Sequence, residues 1–75
     1  MPYPHKFVKL TREEERILWD EILLCESRGE IRKTKRLKAI WFSSKRLTFA
    51  QIAETLGVRY RTVKRWVSKY RKNGI

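Results

Sequence analysis

The stretch from Phe49 to Trp66 narrows what this chain can fold into more than any other. Apolar or small residues recur at helical spacing (Phe49, Ile52, Ala53, Leu56), stop at Gly57, and resume with Val63 and Trp66. Thr48-Phe49-Ala50-Gln51 reads as a capping box that starts the first of two helices. Gly57 permits positive φ in the turn between them, and Ala53 is small where the second helix must come close. Ile52, Leu56, Val58, Val63 and Trp66 would fill the wedge between two helices packed at a steep angle across a short turn. The pattern is that of a helix-turn-helix spanning about 48–72, with a generic helical hairpin as the competing reading.

The second helix, from about Tyr60 to Lys72, divides its faces by charge. At about 100° per residue, Trp66, Val67 and Tyr70 project within about 60° of Val63. Arg61, Arg65, Ser68 and Lys72 cluster on the opposite side, flanked by Lys64 and Lys69. No acid occurs between Arg59 and Ile75, whereas a merely solvated face usually mixes signs. One face packs, and the other suits the major groove of double-stranded DNA. Arg59, Tyr60, Arg61 and Arg65 are the expected base-edge readers, because arginine pairs bidentately with guanine. Lys64, Ser68 and Lys69 are expected on the DNA backbone. Lys45, Arg46 and Thr48, at the start of the preceding helix, are expected to hold a phosphate with the help of free helix amides.

The charge distribution agrees independently. The chain has 75 residues and a formal net charge of +11, which favours a polyanionic partner. Residues 1–30 carry five bases and seven acids, while residues 31–75 carry fourteen bases against the single acid Glu54. The footprint therefore lies in the C-terminal part. Cys25 is the only cysteine and His5 the only histidine, so no internal disulfide can form and no structural zinc set is expected. No cofactor is expected either. No apolar run reaches signal-peptide or membrane-spanning length, and a soluble cytoplasmic, nucleoid-associated protein is the expectation.

The N-terminal part reads as further helix. Residues 1–9 form an extended lead-in, with Pro2 and Pro4 opposing helix; a groove-binding arm and a partly ordered tail are both compatible with it. Residues 10–75 are expected to form one domain. Its first helix, about 11–27, opens on the capping box Thr11-Arg12-Glu13-Glu14 and closes at Gly29. Its apolar residues Ile17, Leu18, Trp19, Ile22, Leu23, Leu24 and Cys25 spread round most of the circumference. Either part of that surface stays exposed for a second copy or an adjoining domain, or the other helices wrap it. Cys25 is expected to be a small buried hydrophobe. A second helix, about 32–43, places Leu37, Ile40 and Trp41 on one side, and residues 43–46 form the connecting turn. The fold class is all-α, a small bundle of about four helices.

The chain also resembles a known family. Leu10-Thr11-Arg12-Glu13-Glu14, the run from Thr34 to Ile40, Ile52-Ala53, Leu56-Gly57-Val58, Arg61-Thr62-Val63, and Trp66 with the run from Tyr70 to Ile75 are similar to the N-terminal homeodomain-like helix-turn-helix of mariner-type transposases and their bacterial insertion-sequence relatives. The resemblance covers about residues 9–75 and implies a homeodomain-like fold that recognises terminal inverted repeats. In that family a separate domain with three metal-binding acids cuts and joins DNA, and its catalytic residues have no counterparts here. The chain is thus expected to be the binding domain alone or a freestanding transcriptional regulator built on the same module. It departs from the family at Arg59, where a serine often caps the recognition helix. That weakens the cap by about 1 kcal/mol and adds a positive charge at the groove.

Other functional classes fit less of the sequence. RNA binding, or non-specific DNA binding, would use the same basic surface, but Tyr70 projects to the core and leaves only Tyr60 to stack on bases. Membrane-surface binding needs the apolar face that the helix-turn-helix core consumes. No enzyme activity is expected without a nucleophile–base pair or a metal set, and a pure protein-interaction role leaves the basic half unexplained.

Overall fold

Thr11 and Thr48 each begin a helix by the reciprocal bonding their sequence calls for. In the computed structural model, which describes residues 8–73, Glu14 N–H donates to Thr11 Oγ1 (3.1 Å) while Thr11 N–H donates to Glu14 Oε1 (3.0 Å). Gln51 N–H likewise donates to Thr48 Oγ1 (3.2 Å), and Thr48 N–H to Gln51 Oε1 (2.8 Å). Each box satisfies two amides that the first turn of a helix otherwise leaves without partners. The described residues form four helices: α1 (Arg12–Ser27), α2 (Ile31–Ser44), α3 (Phe49–Leu56) and α4 (Tyr60–Asn73). The chain is an all-α bundle, with element bounds within a residue or so of those read from the sequence.

Three of the helices end in the same way. After α1, α2 and α3 the chain enters the left-handed region at Gly29 (φ 71°), Arg46 (φ 68°) and Gly57 (φ 67°). In each case the next amide reaches back to a carbonyl five residues earlier: Glu30 to Cys25 (3.0 Å), Leu47 to Phe42 (3.1 Å) and Val58 to Ala53 (3.0 Å). These are Schellman endings, two with the glycine the geometry favours and one with an arginine. Ser43 and Ser44 lie in the last turn of α2, so the connecting turn is shorter than the sequence implied.

Helix α2 is the hub, packing against α1, α3 and α4, while α3 also packs on α4. Leu18 and Ile22 of α1, Leu37 of α2, Ile52 of α3, and Val63 and Val67 of α4 are fully buried. Each such side chain stabilises the fold by about 1.5–3 kcal/mol relative to exposure. Cys25 is buried too, at 1 % exposure, and burial is the main reason its thiol is pushed above its ordinary range, ahead of Glu30. That disfavours the thiolate and leaves a packing residue.

The lead-in expected over residues 1–9 falls mostly outside the described residues. Its end does not: Val8 is buried in the core, and its N–H donates to Ser43 Oγ (3.1 Å). Ser43, itself wholly buried, is thereby given a partner that no local pattern foretells.

Helix α1 packs on α2 alone among the helices, and its wide apolar surface is only partly covered. Ile17, Leu23, Leu24 and Trp19 remain 56, 48, 42 and 41 % exposed. The other helices therefore do not wrap α1. Trp19 does find a partner, lying against Trp41 with ring centroids 5.0 Å apart. Three acids of α1 bind bases of α2 and of the turn after it, in the pairs Glu15–Lys45 (2.6 Å), Glu26–Lys38 (2.9 Å) and Glu21–Lys33 (3.7 Å).

Candidate nucleic-acid interface

The turn at Gly57 sets α4 across α3, and the sequence of α4 then decides which way its charges face. Val63 and Val67 point into the core, with Trp66 and Tyr70 half-buried beside them. Burial pushes the Tyr70 phenol above its usual pKa, with the nearby Glu14 charge adding to the effect. Arg61, Lys64, Arg65, Ser68 and Lys69 are all exposed on the remaining face. Arg61, Arg65, Ser68 and Lys72 follow one another at helical spacing along the middle of that face.

Among the described residues no carboxylate is paired with this face. Among the described residues the ion pairs run from α1 to α2 and to Lys45, and none involves α4. Glu15, Glu21 and Glu26 of α1 are directed instead at Lys45, Lys33 and Lys38. A stripe of unpaired guanidinium and ammonium groups on a rigid helix can neutralise phosphates and, where arginine reaches a base edge, read guanine.

The N-terminal end of α4 is held more closely than the sequence reveals. Arg59 is exposed, and its carbonyl accepts from the Thr62 (3.0 Å) and Val63 (3.2 Å) amides, which starts the helix. Tyr60, the first residue of α4, is 51 % exposed, and its ring meets Phe49 edge-on with centroids 5.9 Å apart and planes at 67°. Phe49 opens α3, so this contact joins the N-terminal ends of the two helices. Sequence reasoning missed Phe49 as a member of the site. It lies three residues before Ile52 and four before Ala53, and at that spacing it reads as core.

The three residues expected to hold a phosphate are not equivalent. Arg46 is exposed at the left-handed turn position. Thr48 uses an oxygen lone pair in its capping box, which leaves its O–H to donate. Lys45 is directed away, with its Nζ 2.6 Å from Glu15 and 4.8 Å over the Trp41 ring. Thr48 therefore caps α3 beside Phe49 and Arg46 stays exposed two residues before Thr48, while Lys45 belongs to the α1–α2 side. Among the described residues no group of three or more His, Cys, Asp or Glu side chains could hold a metal ion, and no helix is long and apolar enough to cross a membrane.

The segment that builds this arrangement, residues 30–75, matches the family model of the homeodomain-like domain. The chain belongs to the homeodomain-like family. The matched residues comprise α2, α3 and α4, the three helices that surround the wedge, and the fold they adopt is a DNA-binding one. Helix α1 precedes the matched segment. No curated protein and no solved structure matches the chain.

Proposed function

We propose that this homeodomain-like chain recognises double-stranded DNA by sequence, with α4 in the major groove. The observation that carries the reading is the exposed basic face of α4, which bears no acid, makes no ion pair among the described residues and lies opposite the buried Val63 and Val67. In this reading Arg59, Tyr60, Arg61 and Arg65 meet base edges near the N-terminal end of the helix. Lys64, Ser68 and Lys69 bind the DNA backbone, and Arg46 and Thr48 hold a phosphate at the start of α3. Lys45 joins them only by leaving Glu15. The biological setting is that of a transposase-type DNA-binding module or a freestanding transcriptional regulator.

Titration of duplex DNA and of structured RNA over a range of salt concentrations tests the reading. Preference for duplex DNA, with a log–log salt slope of several units, supports it. Equal or tighter RNA binding contradicts it and favours the basic surface as an RNA-binding one.

A second copy is the proposed partner of α1. Its exposed Ile17, Leu23 and Leu24 offer apolar surface, and α1 lies in the one part of the chain with a net negative charge. Two copies can approach there while their basic surfaces stay apart. Sedimentation of wild type and of Leu24→Lys tests this: a dimer that the substitution dissociates supports it, and a monomer at all concentrations contradicts it.

A further inference from the structure

We infer that Phe49 is a positioning residue for base recognition: it holds Tyr60 so that the tyrosine ring meets the C5-methyl group of one thymine in the bound site. The inference rests on the proposed placement of α4 in the major groove and assigns one specificity contact within it.

The geometry begins with the capping box. The reciprocal Thr48–Gln51 bonds fix the first turn of α3, and Phe49 is the first residue of that turn. Its half-buried ring packs against the core cluster, so its position is set by the fold. Tyr60 occupies the corresponding first position of α4, where an isolated side chain would be free to choose among rotamers. The edge-on contact at 5.9 Å removes that freedom on one side and leaves half of the tyrosine exposed on the other.

The chemistry of the exposed half selects the target. Arg59 and Arg61 flank Tyr60 and supply the hydrogen-bond donors suited to guanine. Tyr60 adds an apolar ring edge between them. In the major groove the apolar feature that distinguishes one base from the others is the thymine methyl, which apolar side chains contact. A ring held against a second ring keeps its edge at a fixed depth and tolerates only one base-pair register. Truncating either aromatic should therefore affect a single position of the site and leave the phosphate contacts unchanged.

The test is a deoxyuridine scan of the duplex that the wild-type chain prefers, each thymine being replaced in turn so that only its methyl is lost. For wild type, one replacement is expected to weaken binding about threefold or more. Tyr60→Ala and Phe49→Leu should bind the parent site more weakly and lose all sensitivity to that replacement, with an unchanged salt slope, while Phe49→Tyr should retain the sensitivity. If Phe49→Leu fails to fold by thermal melting, the exposed Tyr60→Ala substitution carries the test. A wild-type chain indifferent to every replacement, or a folded Phe49→Leu or Tyr60→Ala that keeps the sensitivity, overturns the assignment while leaving sequence-specific binding intact. A wild-type chain with no preferred duplex overturns both.

Discussion

Lys45 Nζ lies 2.6 Å from Glu15 Oε1, so one of the two bases that precede α3 is held by α1 in the free protein. Both side chains keep substantial exposure, and such a pair contributes only about 0–1 kcal/mol to stability. In the proposed DNA-bound state a phosphate must compete with Glu15 for the lysine. Glu15→Gln is predicted to leave the melting temperature nearly unchanged and to strengthen duplex binding about two- to fivefold at low salt. The log–log salt slope should steepen by about one unit. Titrations at several salt concentrations check both expectations.

Arg46 is predicted to trade stability for binding. A left-handed φ of 68° suits glycine and costs another residue on the order of 1 kcal/mol. Arg46→Gly should raise the urea midpoint by the equivalent of about 1 kcal/mol with an unchanged m-value. The same substitution should weaken duplex binding, since it removes a proposed phosphate contact. Denaturation and binding measured on one preparation separate the two effects.

Much of the bundle was legible because its signals are local. Capping boxes at Thr11 and Thr48 lie within four-residue windows, Gly29 and Gly57 mark left-handed positions, and Val63, Trp66, Val67 and Tyr70 share one face at helical spacing. What escaped has tertiary causes. Arg46 occupies a glycine-type position without being glycine, so composition gives no sign of the Schellman ending there. Lys45 is turned by an acid thirty residues earlier, and Val8 is drawn in by Ser43, thirty-five residues later. Phe49 has the spacing of a core residue, and only its meeting with Tyr60 brings it to the site.

The Val8–Ser43 bond makes the end of the lead-in structural. Ser43→Ala would leave a buried amide without its acceptor, at a cost of about 1–3 kcal/mol. A domain of this size has only several kcal/mol of stability in total, so thermal melting should register the loss readily. Retention of wild-type stability would mean that Val8 contributes nothing through this bond.

Stability should fall in alkali. Burial raises the folded-state pKa of the Cys25 thiol and of the Tyr70 phenol above their ordinary values of 9.0 and 10.0. Between each ordinary value and the raised folded value, the unfolded chain binds fewer protons than the folded one, so stability declines as pH rises. Cys25→Ala should remove the earlier part of that decline, as measured by urea unfolding between about pH 8 and 11.

Within α4 the proposed roles predict two different kinds of loss. Arg61→Ala should cost about 1–3 kcal/mol and relax the preference at one position of the site. Lys69→Ala should weaken all sequences alike and reduce the salt slope by about one unit. Competition among duplexes differing at single base pairs distinguishes the two patterns.

Whether α4 reads sequence is decided by enrichment from a random duplex-DNA library at several salt concentrations. One motif is expected to emerge and to persist as salt is raised, and a two-fold symmetric motif would fit pairing through α1. Salt-sensitive binding with no enriched motif would contradict sequence recognition and leave only the electrostatic surface, and absence of DNA binding at low salt would contradict the account altogether.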